Sequence, residues 1–307
     1  MIINFFNSLR LFLIALTFCA SITVCSPSAF SKGLDKEKTH PVAMVLDKFY
    51  EAWNAHDIDE VMAYYSKTFI SGDGITKAEY KKLTEKLWSN YPDIQILNRK
   101  RAFRNQDQYS TVTTVDYFIG STKEINEDFK EKGKINALSQ GSWYLKKYGK
   151  DWKIDSDDIN FELTTVTYGV AKNMLDEHYV YFSAPEQVRE GQDYSATLYF
   201  AADEDVSVSS IIEKELIRYE ENPILPDEEY QSISGNKLER LFKANVSSYN
   251  ELVSATALLY KGIVDPKLDG LLFISKRVNV LKKQEEIIPA DKVSSRYADS
   301  DFKEEVE

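Results

Sequence analysis

FYEAWNAHDIDEVMAYYSKTFISGDG, residues 49–74, sets aromatic rings, a histidine and five acidic residues on two helical runs that end in a glycine turn. Just upstream and into this stretch, Val42, Leu46, Phe49, Trp53 and His56 recur at three- and four-residue steps, the spacing of one buried stripe on a helix from about Pro41 to Ala55. Asp57 followed by Glu60 reads as a capping box opening a second short helix, with Ile58, Val61, Met62 and Tyr65 on its buried side. Thr76 and Glu79 repeat the device for a third helix, whose stripe is Tyr80, Leu83, Leu87 and Trp88 and whose run is stopped by Pro92.

Beyond Pro92 the period changes from helix to strand. DIQILNRKRAF, QYSTVTTVDYFIG, KINALSQGSWYLKKYG and DWKIDSDDINFELTTV are long runs rich in β-branched and aromatic residues, with turn signals at Asn105 to Asp107, around Gly133 and at Gly149. Helices followed by antiparallel strands make an α+β layer, in which a curved sheet wraps a helix and its concave side forms a natural pocket.

The order of these segments, from FYEAWNAHDIDEVMAYYSKTF through a glycine turn and helix to a meander ending GSWYLKKYGKDWKID, resembles the nuclear transport factor 2-like superfamily over residues 40–166. That superfamily includes ketosteroid isomerases, SnoaL-like polyketide cyclases and many non-catalytic binding domains. The resemblance implies a cone of three helices on a curved antiparallel sheet. In its isomerase members a carboxylate base follows the second helix, and a first-helix tyrosine holds the developing enolate. Laid on that pattern, Asp73 takes the place of the base and Phe49 that of the tyrosine. Phe49 has no hydroxyl, and an oxyanion donor contributes on the order of 3 kcal/mol. Tyr50 is turned about 100° away on the helix and does not simply replace it.

Each candidate residue also has a plain structural reading. Asp73, between Gly72 and Gly74, suits a turn. His56 is a candidate base, or a polar residue ending the first helix. Phe49, Trp53, Tyr65, Trp88, Tyr117 and Trp143 suit the wall of an apolar or ring-bearing ligand, or a plain core.

From about His178 the chain reads as strands alone: HYVYFSAP, DYSATLYFAA, VSVSSIIEKELIRY, NKLERLFKAN, NELVSATALLYKG and GLLFISKRVNVLKK. This predicts an all-β, immunoglobulin-like β-sandwich over 178–283, joined to the cone by a linker or short helix at 167–177 and followed by a polar tail at 284–307. The acidic loops at 203–205 and 220–229 lack EF-hand spacing and read as solvated turns.

The first 31 residues carry Arg10, an apolar run from Leu11 to Val24, and Ala29-Phe30-Ser31 as a small-x-small cleavage site, the layout of a secretory signal peptide. An extracytoplasmic protein without a membrane span after cleavage is expected; an uncleaved membrane tether is the alternative. Cys19 and Cys25, the chain's two cysteines, fall in that segment. A mature chain would then have no thiol for disulfides, nucleophiles or metal ligands.

The net charge of -11 falls almost wholly after residue 162, which disfavours nucleic acid as a partner. No nucleophile elbow, phosphate loop or metal-spaced histidine set occurs, so neither cofactor nor metal is expected. The sequence therefore points to an exported, non-catalytic binding module. Its cone would take a small apolar or aromatic ligand or a protein partner, and its sandwich would give a second contact surface. An isomerase- or cyclase-like enzyme using Asp73, and an envelope-assembly or adhesion protein, are the alternatives. The resemblance also allows a homodimer through the cone sheet.

Overall fold

The computed structural model describes residues 41–176, 180–201, 205–217, 231–232 and 236–282. The expected signal peptide, the acidic loop 220–229 and the polar tail lie outside the described residues. Helices α1 (Pro41–Asn54), α2 (Ile58–Tyr64) and α3 (Lys77–Asn90) come first; most of their expected stripes are buried, while His56, Ile58 and Tyr80 are half-buried and Tyr50 is buried as well. The caps form as well. The Asp57 side chain accepts the Glu60 N–H, and Thr76 and Glu79 close a complete capping box.

His56 ends α1. It adopts φ +57°, donates its N–H to the Trp53 carbonyl at 3.0 Å, and leaves Asp57 to donate to the Ala52 carbonyl at 3.0 Å. This is the Schellman arrangement, with histidine in the left-handed position that glycine usually takes.

The strands that follow are β1 (Gln95–Gln106), β2 (Tyr109–Asn126), β3 (Glu131–Tyr148) and β4 (Asp151–Gly169). The turn expected around Gly133 lies instead before β3. Gly133 sits inside that strand because the Tyr168 ring closes over it; a Cβ there would meet the ring at 2.4 Å. After β4 come the short helix α4 (Ala171–Asp176) and β5 (Val180–Ser183), β6 (Gln187–Arg189), β7 (Asp193–Phe200) and β8 (Val206–Leu216). They are followed by β9 (Gln231–Ser232), β10 (Lys237–Lys243), β11 (Glu251–Lys261) and β12 (Lys267–Leu281).

An independent immunoglobulin-like sandwich is not what these strands build. The large sheet runs β1-β2-β3-β4-β12-β11-β8-β9, with β6 parallel to β12, so the second half extends the first half's sheet. The seam is antiparallel pairing of β4 with β12, from Leu163 opposite Lys276 to Gly169 opposite Gly270. At its end Gly169 has φ +58°, and a side chain there would collide with the Asp269 carbonyl at 2.0 Å. A separate three-stranded sheet, β10-β7-β5, shares an apolar cluster with one face of β11 and β12; Leu198 of β7, Ala255 of β11 and Leu272 of β12 are among its members. The three helices pack on the opposite face, where Phe49, Trp53, Leu87 and Trp88 meet Val112, Phe118, Ile154 and Val166. The protein is thus mostly antiparallel sheet, with few helices.

Among the described residues no helix is long and apolar enough to cross a membrane.

Candidate functional site

The helix-covered face of the sheet is where the sequence places a pocket, and most of that space is filled by rings. Phe49 is 1% exposed and meets Tyr50, Tyr64, Tyr65 and Trp143 edge-on at centroid distances of 5.5, 6.2, 5.8 and 5.4 Å. Trp53 does the same with Trp88 and Phe118 at 5.6 and 5.7 Å. Edge-to-face contacts of this kind are characteristic of packed aromatic cores.

Five of the six expected ligand-wall rings therefore pack in the same core as two groups, Phe49 with Tyr65 and Trp143, and Trp53 with Trp88. Tyr117 is not among them. It lies between Asp116 and Phe118 on β2, whose side chains turn inward, so strand alternation puts it on the other face, where its hydroxyl donates to Asn136 Oδ1 at 3.2 Å.

His56 stacks on the Trp88 ring at 4.7 Å, and its Nε2–H donates to the Ile94 carbonyl at 2.9 Å. The imidazole is fixed as a donor to backbone at the end of α1. That bond ties the end of α1 to the residue just before β1.

Asp73 sits in the turn that its two glycine neighbours suggest. The Gly72 to Gly74 turn, with Gly74 at φ +81°, aims its carboxylate into the protein, where the side chain is 5% exposed. Both oxygens meet the Arg277 guanidinium of β12: Nη2 donates to Oδ1 at 2.6 Å and Nη1 to Oδ2 at 3.0 Å. Asn250 Nδ2 donates to Oδ1 at 2.8 Å, and Arg277 Nη1 also reaches Glu162 Oε2 of β4 at 3.0 Å. Arg277 Nε donates to Asn279 Oδ1 at 2.7 Å, which uses the third side of the fork. Arg277 and Glu162 are 1% and 0% exposed. Burial opposes the charge on Arg277, but Asp73 and then Glu162 outweigh it and hold the guanidinium protonated. A carboxylate gripped bidentately in this way is a tether between the first turn-and-helix unit and the last strand.

Two further acids, not singled out by the sequence, face the interior. Asp116 accepts from the Tyr50 hydroxyl at 2.9 Å and from Asn98 Nδ2 at 2.7 Å; burial raises its pKa against those bonds. Asp157 accepts the Gly72 N–H at 3.3 Å. Burial first and the Asp73 charge second push its pKa up to about 7, opposed by the Gly72 N–H and Arg277. Both line a hollow of about 50 Å³, shared with Tyr80, Thr114 and Trp143. The β3 register shift at Gly141 shapes this spot, since a Cβ on Gly141 would meet the Asp158 carbonyl at 2.5 Å. Space of that size admits water and excludes a ring-bearing ligand.

The raised acid makes a prediction. Between about pH 4, where an unfolded aspartate titrates, and about 7, the native protein keeps a proton on Asp157 that the unfolded chain has released. Stability conferred by that bound proton is therefore lost as pH rises through this window. Asp157→Asn should have a urea midpoint that gains on wild type from pH 4 to 7 and then runs parallel. A difference that stays flat with pH would show that Asp157 titrates normally.

A larger hollow, of about 710 Å³, opens on the outer surface where α2 and the start of α3 meet. Met62, Phe69, Ile70 and Ala78 give it an apolar floor, and Lys67, Lys77 and Lys81 stand at its rim. No element of the sequence signalled it, because its walls come from three short segments whose apolar residues also serve the core.

No protein-family model matches the chain, and no curated protein matches it in sequence. Among solved structures it is similar to Bd1075 of Bdellovibrio bacteriovorus, with 16% identity and a TM-score of 0.34 over 42% of each chain. A nuclear transport factor 2-like superfamily protein of Salmonella enterica aligns at 9% identity and a TM-score of 0.33, over 41% of this chain and 92% of that one. A type 2 hexachlorocyclohexane dehydrochlorinase aligns at 10% and 0.33, over 39% and 83%. The chain thus spans less than half of Bd1075. These alignments cover about two-fifths of this chain and leave its second half unaddressed.

Proposed function

We propose that the protein is an exported, non-catalytic binding module whose ligand site is the surface groove beside α2 and α3, not the interior beneath the sheet. The observation that carries this reading is the bidentate seat of Asp73 on Arg277, because it occupies both oxygens at the position where the isomerase pattern needs a free base. The packed rings and the small interior hollow support it from the side of volume. The groove falls within the roughly 300–1,000 Å³ typical of small-molecule sites.

Titration with the neutral reporter N-phenyl-1-naphthylamine tests the location. One dye per chain should bind, with binding lost in Ala78→Trp, where an indole on an exposed helical position fills the groove, and kept in Asp116→Asn. Binding that ignores Ala78→Trp and disappears with Asp116→Asn would move the site inside.

A second reading has its own support. Asp116 and Asp157, both with raised pKa, share a hollow with Tyr80, which is an arrangement able to pass a proton. On this reading the protein is an enzyme working on a small substrate, with Asp157 rather than Asp73 as the acid–base group. Its turnover would fall at least about a hundredfold in Asp157→Asn, and a turnover close to wild type in that variant would count against it.

A further inference from the structure

The surface groove has a charge pattern at odds with the rest of the chain. Against a net charge of -11, Lys67 and Lys77 line the groove and Lys153 stands close to Lys77, where α2 stops. Burial lowers the pKa of Lys77, and the ammonium groups of Lys153 and Lys67 lower it further, so the three are close enough to repel.

Two of them have a backbone duty. Lys77 Nζ donates to the Tyr65 carbonyl at 2.9 Å and Lys153 Nζ to the Ala63 carbonyl at 2.7 Å, both at the C-terminal end of α2. Each ammonium keeps two more donors. The acids nearby are committed elsewhere. Asp59 pairs with Lys81 at 2.8 Å, Glu79 closes its own capping box, and Asp155 accepts from the Tyr148 hydroxyl at 2.7 Å. Among the described residues no carboxylate pairs with Lys67, Lys77 or Lys153.

Beside this cluster lies the apolar floor, on which Ile70 is 52% exposed while Met62 and Phe69 are packed beneath. An ammonium cluster next to an exposed apolar trough is complementary to a molecule with an anionic head and a hydrocarbon body.

We propose that the groove binds a single-chain anionic amphiphile, its head on Lys67 and Lys77 and its chain along Met62, Phe69, Ile70 and Ala78. This rests on the groove being the binding site. A lysine ammonium is a compact point charge without the planar fork of arginine, so carboxylate and phosphate heads are both accommodated.

The test is isothermal titration of the full chain with dodecanoate, dodecyl phosphate and dodecanol, each below its aggregation concentration. Dodecanoate or dodecyl phosphate should bind at one per chain and at least about tenfold more tightly than dodecanol, the difference shrinking as salt rises. Lys67→Gln/Lys77→Gln should bring the anionic ligand down to the level of dodecanol and leave dodecanol unchanged. Lys67→Gln alone, which removes no contact with the fold, should give part of that loss, and Ala78→Trp should abolish binding of all three. The relative strength of the carboxylate and phosphate arms identifies the head.

If dodecanol binds as tightly as dodecanoate and the lysine variants change nothing, the anionic class is wrong while the groove stands. If no ligand binds, or if binding survives Ala78→Trp, the groove assignment fails with it.

Discussion

Arg277→Met is expected to destabilise the protein by about 3–5 kcal/mol, because it leaves the Asp73 and Glu162 carboxylates buried without their cation. For a chain of this size that corresponds to a fall in Tm on the order of 10 °C. The loss reflects unpaired charge rather than lost volume, since methionine fills much of the space of the arginine stem. Removing all the charge together is therefore the informative control. Asp73→Asn/Glu162→Gln/Arg277→Met should recover most of the stability, as buried ion clusters replaced by neutral groups of similar size commonly do. Urea unfolding followed by tryptophan fluorescence reads both effects. A neutral Arg277→Met, or a triple variant no better than the single one, would mean that the cluster is hydrated and does not tie the two halves of the sheet together.

The second large effect belongs to Trp53. At 3% exposure, edge-on to Trp88 and Phe118 and close to His56 at 6.2 Å, its indole is a structural centre of the helix layer. Trp53→Ala should cost about 3–5 kcal/mol through the lost burial and the cavity that remains. At temperatures where the variant stays folded, N-phenyl-1-naphthylamine should still bind at one per chain, because the groove is walled by other residues. The opposite pattern, full stability with the dye lost, would turn Trp53 into a ligand wall and reopen the interior as a binding site.

Much of the first half was legible because its signals are local. The stripe from Val42 to Trp53, the caps at Asp57 and Thr76 and the stop before Pro92 each follow from residues within a few positions of one another, and they form as expected. The strands of the second half were legible one by one for the same reason. Their partners were not. Pairing of β12 with β4 brings residues about a hundred positions apart into register, and two runs of alternating apolar residues do not specify which edge they join.

The setting of Asp73 was hidden for the same reason. Asp73 between two glycines is indistinguishable from an ordinary turn aspartate until Arg277 is seen across 204 positions. The sequence carries no signal for its partners: Glu162 alternates with Asn160 and Thr164, and Arg277 with Ser275 and Asn279, so both read as members of a polar strand face although the structure buries them. Phe49, at the tyrosine position of the isomerase pattern, was read in the sequence as lacking a hydroxyl; the structure adds that its ring is packed among four others.

The coupling energy between Asp73 and Arg277, taken from a double-mutant cycle of Asp73→Asn and Arg277→Met in urea at pH 8, tests the central claim most directly. A tether predicts at least about 2 kcal/mol of coupling between the two positions. A coupling within about 0.5 kcal/mol of zero would mean that the Asp73 carboxylate is not held by Arg277 in solution, and would return it to the role of a free base.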